Sequence, residues 1–295
     1  MSNYCLTCCS TADLSKEYLE KRDVKYACFH FELDGKDHLD DMWQSMSPKD
    51  LYDQMLAGAS AKTSQIPMVE YEEFFESILK EGKDILHLSL SSGLSGSCSS
   101  AKVVAEELKE RYPDRKIYVV DSLAASSGYG LFVDTLADMR DEGMDIDTLF
   151  NWAEAHKLNM HHWFFSSDLT FYIRGGRVSK ASGTIGTILG ICPLLNVNNT
   201  GHLIPREKVR SKKRAIQRVV DKMAEHADNG TEYSGKCFVS HSLIDEDAQK
   251  VVELIAKTFP NLAEKPKCFP IGATIGAHSG PGTIAVFFWG DQRGE

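Results

Sequence analysis

Residues 85–111 read ILHLSLSSGLSGSCSSAKVVAEELKER, and this stretch decides the fold. Its apolar start, residues 85–90, is rich in branched side chains and predicts a buried strand. A loop of glycine and small hydroxyl residues follows at 91–97, and apolar residues then recur at the spacing of an amphipathic helix. Such a turn presents backbone N–H groups and the positive end of a helix dipole to an anion. We predict an anion site that includes the Ser95 hydroxyl, with simple capping of the helix as the alternative.

Strands and helices alternate on both sides of this stretch. From residue 1 to 155 the pattern predicts a mainly parallel sheet with helices on its faces. The turns after Cys9, Leu90 and Val120 all carry hydroxyl groups and should meet at the carboxyl edge of that sheet, where ligands bind. Beyond them, the pattern predicts a second α/β domain with a mixed sheet. We therefore expect an α/β protein whose two domains, 1–155 and 156–290, pack closely because no low-complexity linker separates them.

The composition is typical of a soluble globular protein, with 42% hydrophobic and 25% charged residues in a chain of 295. The net charge of −9 argues against a general nucleic-acid binder, although it does not exclude a local basic patch. The N-terminus lacks the pattern of a signal peptide, and no apolar run approaches the roughly 20 residues of a membrane span. The eight cysteines lie mostly inside apolar runs, which favours reduced thiols. We expect a cytoplasmic protein without a transmembrane segment.

One motif suggests nucleophilic catalysis. Residues 93–97 resemble the nucleophile elbow of serine hydrolases, except that Ser97 replaces the last glycine. A hydrolase built on Ser95 would also need a base, for which His278 is the candidate. A serine hydrolase that uses these two residues is therefore an alternative function.

Metal-ligand spacing is weak in this chain. Cys5 and Cys8 form a single Cys-x-x-Cys pair inside a predicted strand, which is more typical of buried structural thiols than of a zinc or redox site. His161 and His162 have no partner at ligand spacing, so we interpret them as structural. The pattern of a nucleotide-binding P-loop does not occur. We predict that the protein has no metal site and no cofactor.

Basic residues form two groups. Residues 206–218 predict a basic helix, and a solvated helix face is the simplest interpretation. The alternatives are a docking surface for an acidic partner or a phosphate, or a regulatory module that binds nucleic acid. Arg174 and Arg177 flank two glycines and are suited to hold a phosphate or carboxylate, although surface salt bridges would explain them equally well.

An apolar run with regularly placed glycines, TIGTILGICPLL, occupies residues 184–195. It predicts either close packing on its own sheet or a slot for an alkyl chain. An anion site at one end of such a slot would describe a fatty acid pocket. A buried carboxylate is costly unless donors replace its hydration, which hydroxyls, backbone amides and a nearby histidine would do.

Seven short motifs occur in a fixed order along nearly the whole chain: STADL (10–14), TSQ (63–65), SGLSG (92–96), DS (121–122), RGGR (174–177), KVR (208–210) and GAHSGPG (276–282). In this order and spacing they resemble the DegV family of bacterial lipid-binding proteins. The resemblance implies the two-domain α/β DegV fold with a long-chain fatty acid held between the domains. It implies that the carboxylate meets the hydroxyls of Thr63 and Ser95 and backbone donors near Ser64 and Gly96, with His278 close by.

The resemblance also implies a partner. Relatives serve as the binding subunit of a fatty acid kinase and present the carboxylate to a separate ATP-using subunit, which makes an acyl phosphate for phospholipid synthesis. The arginine matching Arg174 is placed near the head group, and we assign Arg174 and Arg177 to the head group, phosphoryl transfer or partner binding. The expectation is a lipid carrier that has no catalytic residues of its own.

Two positions depart from the family pattern. The first strand of the family usually ends in Thr-Asp-Ser-Thr, whereas Cys8 and Cys9 precede Ser10 here, so an acidic side chain is missing. The proline of Thr-Ser-Gln-Pro comes one place later because Ile66 precedes it, which leaves Thr63 in place and alters the loop after it.

Overall fold

The computed structural model describes residues 4–179 and 190–295. Four strands in the first half of the chain are β1 (Tyr4–Cys9), β2 (Val24–Ala27), β6 (Asp84–Ser89) and β7 (Ile117–Asp121). They pair in parallel in the order β2-β1-β6-β7. All of β1, and all of β6 except its first residue, is buried, because helices cover the sheet. The predicted parallel sheet is confirmed.

The helices of this half are α1 (Lys16–Lys21), α3 (Met68–Lys80), α4 (Ser97–Arg111), α5 (Ser126–Asp141) and α6 (Ile146–His156). Helix α4 is the one predicted from the deciding stretch. It buries Ala101, Val104 and Leu108, which recur every three to four residues and so lie on one face.

A small antiparallel sheet was not expected from the sequence. It contains β3 (His30–Leu33), β4 (Lys36–Leu39) and β5 (Ala61–Ser64) in the order β4-β3-β5, and it packs against α2 (Pro48–Leu56). From the sequence, the polar residues 61–67 would be interpreted as a loop, but residues 61–64 form a strand. Because β5 has four residues without a large apolar side chain, it carries almost no strand signal of its own and is stabilised by pairing with β3.

A six-stranded mixed sheet forms the second half. Its strands are β8 (Met160–Ser166), β9 (Ile191–Val197), β10 (Leu203–Arg210), β11 (Phe238–His241), β12 (Lys267–Pro270) and β13 (Thr283–Trp289), in the order β10-β9-β8-β13-β11-β12. Only β11 and β12 pair in parallel. Residues 198–201, Asn-Asn-Thr-Gly, form the hairpin turn that joins β9 to β10, as their turn-forming residues indicate.

The helices of this half include α7 (Thr170–Arg174), α8 (Lys212–His226), α9 (Asp245–Thr258) and α10 (Ala273–Ser279). The predicted basic helix over 206–218 is wrong for 206–210, which belong to β10. Along this segment Val209 is buried between the exposed residues Lys208 and Arg210, and this alternation is that of a strand. The helix begins at Lys212.

Side chains from the two halves of the chain pack together in one hydrophobic core. One hydrophobic cluster combines Leu88 and Phe132 of the first half with Phe164 and Phe287 of the mixed sheet. The strands of the parallel sheet lie within 4–121 and those of the mixed sheet within 160–289; a domain boundary between 155 and 156 stays a prediction. Within the described ranges, the helices are all too short or too polar to cross a membrane.

Candidate ligand-binding site

A cavity of about 210 Å³ lies where the two large sheets meet. Apolar side chains line most of it, among them Leu90 after β6, Phe164 of β8 and Phe287 of β13. Thr63 contacts His278, and Arg177 contacts Leu94 beside Ser95, so these lining residues form one polar region of the wall, which we call the polar end. Ser64 and Gly96 adjoin it in the chain, and other polar residues, such as Ser126, His162 and Thr283, also line the cavity. The structure therefore brings together most of the site residues predicted from the sequence, although they come from distant parts of the chain.

The loop before α4 is held in place from two sides. Within the loop, the backbone N–H of Ser95 donates to the carbonyl oxygen of Ser91 at 3.2 Å. The Ser91 hydroxyl in turn donates to the Gly201 carbonyl oxygen, 2.9 Å away in the β9–β10 hairpin turn. A Cβ on Gly93 would lie 2.8 Å from the Thr200 carbonyl oxygen, so the loop and the hairpin turn are in close contact.

The Ser95 hydroxyl both supports the helix and faces the cavity. Its oxygen accepts the backbone N–H of Ser97, the first residue of α4, at 3.2 Å, although the N-cap position itself is Gly96. Among the described residues the Ser95 proton has no acceptor, so it remains able to donate to a ligand. Support of the helix start and anion binding are therefore compatible roles for the same side chain.

Thr63 and His278 form the other polar side of the cavity. Thr63 lies on β5, and α10 packs against this strand, so that Thr63 Oγ1 is 2.7 Å from His278 Nε2. Burial, together with the smaller effect of the charge of Arg177, lowers the pKa of His278 to about 4. At neutral pH this imidazole is uncharged. It can then donate one hydrogen bond or accept one at Nε2, depending on its tautomer.

Arg177 connects the polar end of the cavity to the loop before α4. Its Nε and Nη2 atoms donate to the Leu94 carbonyl oxygen at 3.2 and 3.0 Å, and Nη1 donates to the Gly175 carbonyl oxygen at 2.7 Å. Burial lowers its pKa. All three of these contacts are to carbonyl oxygens, so within residues 4–179 and 190–295 no carboxylate is seen to pair with this guanidinium.

Arg174 lies in a second, adjacent pocket of about 320 Å³. Its guanidinium carbon is 5.4 Å from the centroid of the Phe171 ring, and Lys62 lines the same pocket. Thr63, Arg177 and His278 line both pockets, so the second pocket begins at the polar end of the first. The positive side chains therefore surround one end of the apolar cavity.

The geometry differs from that of a serine hydrolase. His278 Nε2 pairs with Thr63 and not with Ser95. In the described part of the chain, the buried Nδ1 atom of His278 has no hydrogen-bond partner, so no carboxylate orients the ring.

Some of the cations of the basic helix are paired with carboxylates. Arg218 contacts Glu207 and Glu225 at 2.7 and 2.6 Å, and Lys212 contacts Asp247 at 2.9 Å. These pairs reduce the positive field that a nucleic acid would need.

The apolar run at 184–195 is described only from residue 190 onward. Residues 184–189 lie outside the described ranges, so the slot predicted there is not assessed. Residues 190–195 belong to the turn before β9 and to β9 itself, and the strand lines the cavity with Val197.

Sequence reasoning missed several lining residues. Gln65 donates through Nε2 to the Ser100 hydroxyl at 3.2 Å, and a Cβ on Gly96 would collide with its Oε1 atom. His162, interpreted as structural, lines the cavity, where its Nε2 accepts the Ala125 backbone N–H at 3.2 Å. Gln65 could have been found from its place in the TSQ motif, two residues after Thr63, whereas nothing in the local sequence marks His162 as a lining residue.

Six of the eight thiols are buried, as expected, whereas Cys28 and Cys268 are partly exposed. Cys5, Cys8 and Cys9 of β1 are free and buried, and Cys9 occupies the place of the family's missing acid. Burial raises the pKa of Cys9 to about 11, so this thiol does not replace a carboxylate at neutral pH.

Comparison with known proteins identifies the family. A model of the DegV family, described as uncharacterised protein, matches residues 8–291. The chain belongs to the DegV family. A DegV domain-containing protein of Clostridium perfringens is 35% identical over 284 residues, which cover 96% of each chain.

Solved structures of the family have the same fold. A DegV family protein from Thermus thermophilus, described as binding fatty acid, superimposes with a TM-score of 0.86 at 25% identity over 98% of this chain and 99% of its own. The fatty acid kinase B3 protein of Streptococcus pneumoniae, loaded with linoleic acid, has a TM-score of 0.85 at 22% identity over 99% and 100% of the chains. The expected family and DegV-like fold are confirmed.

Proposed function

We propose that the chain binds a long-chain fatty acid, with its carboxylate at the polar end of the cavity and its tail among the apolar side chains. The observation that carries this proposal is the cavity itself, which has hydroxyl and cationic groups at one end and apolar walls beyond them. Fatty acid binding by the Thermus thermophilus relative supports it.

The carboxylate has a defined set of donors. The Ser95 hydroxyl and the Gly96 backbone N–H lie at the start of α4, where the helix dipole favours an anion. On the opposite side, a proton on His278 Nε2 is donated to Thr63 Oγ1, which leaves the Thr63 proton to donate to the carboxylate. Ser64 completes the wall beside Thr63, and the positive charge of Arg177 compensates the negative charge.

The tail supplies most of the binding free energy. Each buried methylene contributes about 0.8 kcal/mol, so a chain of some sixteen carbons gains far more than the polar contacts. Part of this gain is offset by the lost freedom of the ligand. The protein should therefore retain its ligand through purification.

The second pocket suggests what happens to the bound acid. It joins the carboxylate end, and Arg174 gives it a positive charge suited to phosphoryl groups, whereas Lys62 on its wall is paired with Glu32 at 3.3 Å. We assign to the chain the role of a non-catalytic carrier that presents the carboxylate to a separate ATP-using kinase subunit for phospholipid synthesis. Because that reaction uses ATP, we place the protein in the cytoplasm, in keeping with its free cysteines.

The first experiment is denaturing extraction of the purified protein followed by mass spectrometry. We expect one fatty acid per chain in the wild type and a strongly reduced amount in the double variant Thr63→Val/Ser95→Ala. The proposal would be refuted if the wild type contained no fatty acid either as purified or after incubation with palmitate. Equal retention by the double variant would refute the carboxylate site.

A second experiment addresses presentation. Arg174→Ala should slow acyl phosphate formation by a fatty acid kinase subunit more than it weakens fatty acid binding, because Arg174 lies in the outer pocket. Unchanged turnover of the kinase with this variant would remove Arg174 from that step.

A further inference from the structure

A second cluster of polar side chains lies outside the cavity. It consists of His161 on β8, His226 at the end of α8, and Asp291 just after β13. One nitrogen of each ring and one carboxylate oxygen all lie within 4.8 Å of one another. His161 Nε2 is 2.8 Å and His226 Nδ1 is 3.3 Å from the same oxygen, Asp291 Oδ1.

These separations are close to those of a metal site. Ligand atoms bound tetrahedrally at about 2.1 Å from a zinc ion are roughly 3.4 Å apart. The two distances from Asp291 Oδ1 need only small side-chain adjustments to reach that value. Two imidazoles and one carboxylate also match the three protein ligands of an open zinc site, with water at the fourth position.

The backbone holds the three ligands together independently of their side chains. The Asp291 N–H donates to the His226 carbonyl oxygen at 3.0 Å, and the Gly290 N–H donates to the Asn159 carbonyl oxygen at 2.9 Å. In the antiparallel pair of β8 and β13, His161 lies opposite Phe288, and Phe288 precedes Asp291 by three residues. The geometry is therefore built into the fold.

The surroundings direct the rings towards Asp291. The Nδ1 atom of His161 is buried without a partner in the described structure, and all polar contacts of this ring are at Nε2. The His226 ring is stacked near those of His161 and Trp163, at centroid distances of 5.1 and 5.4 Å. His226 also ends α8, and the negative end of a helix dipole favours a cation.

The neighbouring lysine does not oppose a cation strongly. The Lys222 ammonium lies 4.8 Å from the Trp163 ring centroid and pairs with Glu207 at 3.1 Å and with Glu225 at 2.7 Å. Its charge is therefore compensated by two carboxylates.

We propose that His161 Nε2, His226 Nδ1 and the Asp291 carboxylate bind a Zn²⁺ ion that links β8, the end of α8 and the chain after β13. The sequence hides this site because His226 is 65 residues from Asp291, and His161 is 130 residues from it. For His161, this proposal replaces the expectation that the histidine is structural and has no partner at metal-ligand spacing. The ion binds only the folded arrangement, so it stabilises the folded protein.

The test uses the full-length protein, stripped with a chelator and then titrated with Zn²⁺ by calorimetry. We expect one tight site and an increase of a few degrees in the melting temperature with excess Zn²⁺. Asp291→Asn and His226→Gln should each weaken Zn²⁺ binding at least about tenfold. These side chains are 62% and 29% exposed, so their replacement should leave the fold intact.

The matched control is His202→Gln, which removes an exposed histidine of the β9–β10 turn and should bind Zn²⁺ like the wild type. All of these variants keep the eight cysteines, so zinc bound by thiols would persist in every one of them. The proposal is overturned if the wild type binds no Zn²⁺, or if both ligand variants bind it as tightly as the control.

Discussion

Replacement of Thr63 by valine tests the carboxylate site at its polar end. The change removes a hydroxyl and keeps the size and branching of the side chain. In the proposed complex the Thr63 proton donates to the carboxylate while Oγ1 stays 2.7 Å from His278 Nε2. A hydrogen bond to a charged group contributes about 1.5–3 kcal/mol, so Thr63→Val should raise the Kd for palmitate by roughly 10- to 150-fold.

The assay is calorimetric titration of delipidated protein with palmitate. Thr63→Ser is the matched control, because it keeps the hydroxyl and loses only a methyl group, and its Kd should stay close to that of the wild type. Thr63→Val also leaves His278 Nε2 without its partner, so urea unfolding should show a loss of about 1–3 kcal/mol in stability. A wild-type Kd for a folded Thr63→Val variant would show that this hydroxyl does not hold the carboxylate.

Two further predictions concern packing and pH. Gly93→Ala places a Cβ 2.8 Å from the Thr200 carbonyl oxygen, so we expect urea unfolding to show a loss of about 1–3 kcal/mol, whereas Gly294→Ala, with no atom within 4 Å of the new Cβ, should change nothing. Equal stability of the two variants would contradict the close contact at Gly93. The pKa of His278 is lowered from 6.5 to about 4, so between these pH values the unfolded chain binds a proton that the folded chain does not, and stability falls as the pH falls through this range. This pKa difference corresponds to about 3 kcal/mol of stability. Between pH 7 and pH 4, urea unfolding should therefore show a smaller loss of unfolding free energy for His278→Gln than for the wild type or the control His202→Gln. Equal losses would contradict the buried, neutral state of His278.

Local patterns predicted much of the fold. The stretch 85–111 formed the strand, turn and helix expected, because its apolar run and its helical spacing each act within a few residues. The last strand, Thr283–Trp289, likewise consists almost entirely of apolar residues, so its own sequence indicates a buried strand. Where a segment is stabilised mainly by its partner, as β5 is by β3, its own side chains carry too little signal.

The site was harder to predict because it depends on contacts between distant residues. Thr63 and His278 are 215 residues apart, and only the family resemblance linked them before the structure did. The resemblance pointed to residues that bind in relatives, but not to Gln65 or His162, which line the cavity here. For the His161 cluster neither periodicity nor spacing gave a signal, since its members meet only when the mixed sheet has closed.

The contact between the loop before α4 and the β9–β10 hairpin turn has a consequence for biosynthesis. Ser91 leaves the ribosome 110 residues ahead of its acceptor Gly201, and the wall containing Phe287 follows later still. A nascent chain therefore lacks this part of the cavity wall until Phe287 has been translated. If the chain carries a fatty acid as proposed, the ligand enters only after the mixed sheet has been synthesised.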